Sequence, residues 1–160
     1  MTGTSGSLSP ASALPVYGRV WATGNLDLVA PASGAWLPVP GCQITLPEAG
    51  TYEVTAESDG AINLLGVSGQ GVVINIRLYD ATAGAVVPNG ARLLVANSNA
   101  ASAAAIANGA HATHDYEVAV TGPTTLRMEA QRVTGGGAPI SYTGVLAVGT
   151  TLAFKKLGTL

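Results

Sequence analysis

From Thr51 to Glu57 polar and apolar residues alternate without a break, with Tyr52, Val54 and Ala56 on one face and Thr51, Glu53, Thr55 and Glu57 on the other. A period of two marks an extended strand with one face buried, because successive strand side chains point to opposite sides. The pattern returns at 72–79, where Val72, Ile74, Ile76 and Leu78 oppose Val73, Asn75, Arg77 and Tyr79. It returns again at 124–133, where Leu126, Met128 and Ala130 alternate with Arg127, Glu129 and Gln131. No stretch carries a long apolar stripe at helical spacing. The chain therefore has several one-sided strands to bury, and stacking antiparallel sheets face to face achieves that.

Turn chemistry sets the divisions. In Pro47-Glu48-Ala49-Gly50 a proline presets φ and a glycine admits positive φ, so strands at 43–46 and 51–57 meet at a corner. Further strands are expected at 17–22, 26–29, 85–87, 92–96, 112–120, 140–145 and 150–156. Residues 36–41 contain Pro38 and Pro40, which cannot donate to a ladder, and read as an edge or crossing segment. Ser58-Asp59-Gly60 and residues 66–71 read as breaks on either side of a short apolar piece at 61–65. Residues 97–109 are Ala, Ser and Asn with one Ile, and read as a loop holding at most a short helical turn. Residues 135–139 form a second loop. Eight or more short strands imply an all-β fold, an antiparallel β-sandwich of jelly-roll type, with the closing strand inside a sheet.

Residues 1–16 are rich in Gly, Ser, Thr, Pro and Ala and read as an extended N-terminal arm ahead of one domain at 17–160. Thr2, Leu8, Pro10 and Leu14 are its expected contacts with a partner. Hydrophobic residues make up 48% of the chain and charged residues only 10%, against roughly 25% in an ordinary soluble domain. Such a chain is expected to hide much of its exterior against copies of itself or a larger assembly. The net charge of −2 has no basic stripe beyond Lys155-Lys156, so nucleic acid is not an expected partner. The first residues show no basic n-region or apolar h-region and no apolar run reaches spanning length, so neither export nor a membrane is expected. Cys42 stands alone, which fits synthesis in a reducing cytoplasm, and reads as a packing residue.

Catalytic chemistry finds little footing. His111 and His114 sit beside Asp115, but on a strand residues three apart face opposite sides and cannot share a metal. Glu53 and Glu57 share a face yet stand about 13 Å apart along a strand, too far for a working carboxylate pair. Gly135-Gly136-Gly137 lacks the lysine and strand-to-helix setting of a phosphate loop. No catalytic residue, metal or cofactor is expected. Trp21 and Trp36 read as core or subunit-contact residues, with stacking on a sugar ring as the other use of such a side chain.

The succession Leu46-Pro47-Glu48-Ala49-Gly50-Thr51-Tyr52-Glu53-Val54, the run from Asn75 to Asn89, Pro123-Thr124-Thr125-Leu126-Arg127-Met128-Glu129-Ala130 and the close at 150–158 resemble the jelly-roll modules of tailed bacteriophages. Those modules occur in capsid decoration proteins and at fibre tips, and are similar in outline to C1q/TNF-like trimers. Gly50, Tyr52 and Val54 match the Gly-x-Tyr-x-apolar element of the C1q-like group, while a single phenylalanine, Phe154, sets this chain apart from it. The resemblance implies a non-enzymatic structural virion protein, a homotrimer on the capsid surface that binds the major capsid protein and stabilises the phage head. The alternative is a tail-fibre or head-fibre module recognising host glycans through its loops, for which Asn97, Asn99, Asn108 and Gly136 are the candidate exposed residues.

Overall fold

The computed structural model describes residues 16–65, 69–99, 105–135 and 140–160. Ten strands follow in order: β1 Tyr17–Trp21, β2 Leu26–Asp27, β3 Leu37–Leu46, β4 Gly50–Leu64, β5 Gln70–Asp80, β6 Ala85–Val86, β7 Arg92–Asn99, β8 Ile106–Val120, β9 Thr124–Gly135 and β10 Ile140–Gly158. They form two antiparallel sheets. The first has the order β1-β10-β4-β8, with β2 also pairing β10; the second has the order β3-β9-β5-β6, with β7 also on β5. The chain crosses between the sheets at six of the nine connections between these strands, and the closing strand β10 lies between β1 and β4. The result is an all-β jelly-roll sandwich.

The alternating faces read from the sequence are the faces that meet. Tyr52, Val54, Ile62 and Leu64 of β4 pack against Ile74, Ile76 and Leu78 of β5 and Leu126 and Met128 of β9, all fully buried. The Tyr52 ring meets Phe154 edge-on, with centroids 5.8 Å apart, and its hydroxyl donates to Glu48 O at 3.0 Å. This satisfies the one polar atom that the buried ring carries. Cys42 is buried in the same core, where loss of hydration pushes its thiol up to about 11. Residues 37–41 join β3, an edge strand with a register irregularity between Pro38 and Gln43. There Gly41 has φ +80°, and a β-carbon on it would lie 2.8 Å from Trp21 O. This close approach lets Thr23 N donate to Pro40 O at 2.9 Å, closing the margin between β1 and β3.

Four expectations are corrected. Ser58-Asp59-Gly60 does not break the chain, since β4 runs unbroken from Gly50 to Leu64. Ser58 turns inward and donates to the Met128 sulfur at 3.2 Å, Asp59 N donates to Thr150 Oγ1 at 3.1 Å, and Gly60 leaves room for Leu94 and Val95 of the facing sheet. Among the described residues of the expected loop at 97–109, both ends are strand: residues 97–99 belong to β7 and residues 106–109 to β8. Each residue there has a cross-strand partner, for instance Asn97 with Val72 and Asn108 with Ile62. Of the core and subunit-contact readings of the two tryptophans, the core one is not met, Trp21 being exposed and Trp36 half-buried. Residues 140–158 form one strand with an irregularity between Leu146 and Thr151, rather than two.

Candidate functional site

On the outward face of the second sheet, β5 and β9 bring Arg77, Tyr79, Arg127 and Glu129 together. Arg77 pairs in register with Glu129, which is 3% exposed in its side chain although it faces away from the core. Arg77 Nε and Nη2 reach Glu129 Oε2 at 2.8 and 2.6 Å, and Arg127 Nε and Nη2 reach Oε1 at 2.7 and 2.6 Å. Each carboxylate oxygen thus accepts two N–H groups of one guanidinium, charge-assisted bonds that are shorter and stronger than neutral ones. Trp36 covers the Arg77 guanidinium at 4.3 Å from its ring centroid, and Tyr79 lies 4.7 Å from that of Arg127. This plate can stiffen a surface or present aromatic rings.

The outward face of the first sheet is mostly acidic. Its registers place Tyr17, Lys155, Glu53 and Glu117 in one row, Arg19, Ala153, Thr55 and Asp115 in the next, and Trp21, Thr151, Glu57 and Thr113 in the third. Thr55 Oγ1 donates to Asp115 Oδ1 at 2.6 Å and Thr151 Oγ1 to Glu57 Oε2 at 2.7 Å. Further along, His111 Nδ1 lies 2.6 Å from Asp59 Oδ1. His111 and His114 fall on opposite faces of β8, as their spacing requires. Burial lowers the His114 pKa below its ordinary value, with Arg92 acting in the same direction and the Leu93 backbone and Asp115 against it. Among the described residues no three His, Cys, Asp or Glu side chains are placed to hold a metal ion, and no helix is long and apolar enough to cross a membrane.

The four candidate recognition residues do not form one exposed group. Asn97 is corrected to a buried residue, 9% exposed, with its amide directed at Ile62 O. Asn108 is exposed, and its amide donates to Ala96 O at 2.7 Å. Asn99 ends β7, and Gly136 lies outside the described residues, as do the arm residues Thr2, Leu8, Pro10 and Leu14. Between the margins of the two sheets an apolar groove of about 500 Å³ is lined by Val86, Val87, Pro88, Val118 and Val120, with Glu117 at its edge. The polar plate around Glu129 is the feature that the sequence reading missed. Arg127 and Glu129 two apart on one strand face were its only local signal.

No protein-family model and no curated protein sequence matches the chain. Among solved structures, it is similar to the crystal structure of the infectious bursal disease virus VP2 subviral particle at 14% identity and TM-score 0.49, over 96% of this chain and 37% of that one. The structure of the Gt strain of that virus gives 14% identity and TM-score 0.47, over 96% and 37%. The structure of Eiger TNF from S. frugiperda gives 13% identity and TM-score 0.38, over 91% and 94%. The chain spans little more than a third of the length of those viral chains. Likenesses of this degree say nothing about function, and what those proteins assemble into is theirs alone.

Proposed function

We propose that this chain is a structural virion protein, a decoration protein that binds the outer surface of a phage head as a homotrimer and stabilises it. The observation that carries the reading is the pair of bare aromatics on β1: Tyr17 is 77% exposed and Trp21 61% exposed, on one face of a chain with few charges. Two large exposed aromatics on one strand face, with Arg19 between them, are what an assembly interface leaves when one copy is viewed alone. The phage-module resemblance of the strand and turn patterns supports the choice of assembly. In this reading residues 1–16 form the fastening arm ahead of the domain at 17–160, with Thr2, Leu8, Pro10 and Leu14 against the major capsid protein. Subunits bridging neighbouring shell proteins stabilise the shell through linked binding.

The test is the copy number of the chain per purified virion, by quantitative mass spectrometry against the major capsid protein. A ratio comparable to the capsid protein supports decoration. A handful of copies places the chain at a tail or vertex and overturns decoration, and absence from the particle overturns any virion role.

A further inference from the structure

We propose that the β1 margin of one copy docks on the β8 margin of a second copy, through Tyr17, Arg19 and Trp21 against Asp115 and Glu117. The proposal rests on the assembly reading above and names the surfaces that would join.

β1 and β8 are the opposite margins of the first sheet. The outward face of β1 presents Tyr17, Arg19 and Trp21 in succession, the three side-chain types that most often dominate binding energy at interfaces. Arg19 is largely unspent within its own chain. Its nearest acid is Glu57 at 4.0 Å, Glu57 already accepts from Thr151, and the Arg19 side chain is 48% exposed. An exposed pair at that distance contributes little.

The other margin has the opposite need. Glu117 stands directly across from Glu53 in the β4–β8 ladder, and like charges facing each other across strands are destabilising. Lys155 is the cation in that row, flanking Glu53 from the far side. Asp115 adds a second acid on the same face of β8. A cation arriving from outside relieves this margin, and β1 offers one.

The registers put the two surfaces at the same height. Tyr17 and Glu117 end one cross-strand row, Arg19 and Asp115 the next, Trp21 and Thr113 the third. A second copy turned about an axis along the strands brings its Arg19 level with Asp115 and one row from Glu117, with an aromatic ring on either side. Because every pairing in this sheet is antiparallel, β1 and β8 run in opposite directions, and the alternation continues across the junction. The contact joins two different surfaces, so it is heterologous and repeats head to tail until a ring closes.

Native mass spectrometry and light scattering of the full chain at several concentrations test this. Arg19→Glu, and separately Asp115→Arg with Glu117→Arg, are expected to weaken self-association at least tenfold. Combining all three reversals is expected to restore it. Trp21→Ala removes the ring without changing charge and is expected to dissociate the assembly too, which covers a folding defect at Arg19, with circular dichroism checking each fold. An oligomeric wild type indifferent to the reversals, or a triple variant that stays dissociated, overturns the docking mode alone. A wild type that is monomeric at every concentration overturns both the docking and the assembly reading.

Discussion

Arg77 Nη2 and Glu129 Oε2 stand 2.6 Å apart on the outward face of the second sheet, with Trp36 stacked over the guanidinium. The carboxylate is almost wholly out of water, its side chain 3% exposed, and it is tolerable there because four N–H groups point at it.

Removing the acid leaves two guanidinium groups facing each other with no anion between them. Glu129→Ala is expected to lower stability by about 2–3 kcal/mol, less than the loss of a fully buried partner because Arg77 and Arg127 keep some access to water. Urea unfolding at neutral pH measures it. A loss under about 0.5 kcal/mol, the size of an ordinary surface change, would show that the plate is ornamental.

Gly60 sits beneath the side chains of Leu94 and Val95, and a β-carbon on it would lie 2.8 Å from Leu94 Cδ2. Gly60→Val therefore has to push β7 away from β4. An overpacking loss of about 1–3 kcal/mol is expected, and Leu94→Ala in the same chain is expected to recover part of it by making room. Thermal melts of the single and double variants decide. Simple additivity of the two losses would place Leu94 elsewhere.

The same residue explains what the sequence concealed. The strands at 51–57 and 72–79 were legible because each apolar side chain falls two residues from the next and the burial follows that period. Ser58-Asp59-Gly60 has turn composition, and its extended conformation comes from Met128, Thr150 and Leu94, which lie 34 to 91 residues away along the chain. Local propensity had no view of those partners, nor of the β8 ladder that holds Asn108 and Gly109 extended opposite Ile62 and Ala61. Of the candidate surfaces, the period of two gave the outward facing of Arg77, Arg127 and Glu129, but it could not bring Arg77 to Glu129. That meeting is made by the register of β5 on β9, and the cover over it by Trp36 on a segment whose prolines hide its path.

His114 supplies a pH dependence with a definite sign. Its folded-state pKa lies below the ordinary 6.5, chiefly because burial disfavours the charged ring. The unfolded chain therefore holds the proton more tightly, and the stability associated with the neutral ring is lost as pH falls through 6.5 towards the folded value. His114→Gln removes this term. The stability of the wild type relative to the variant is expected to decline between pH 7 and pH 5, measured by urea unfolding in matched buffers. A difference independent of pH would mean that the ring titrates alike in both states.

Cys42 provides a probe of the core that needs no substitution. Its thiol is 1% exposed on β3 and burial pushes its pKa from 9.0 to about 11. Alkylation proceeds through the thiolate, so a shift of that size by itself cuts the reactive fraction at pH 8 about a hundredfold, and the packing of Ile44 and Leu46 around the same face restricts access further. Iodoacetamide is expected to label the native chain at least about a hundredfold more slowly than the chain in urea. The native rate should keep rising about tenfold per pH unit through pH 10, where an ordinary thiol levels off near its own pKa. Native labelling within tenfold of the unfolded rate would show that β3 opens readily from the sandwich, as its place at the sheet edge and its two prolines would permit.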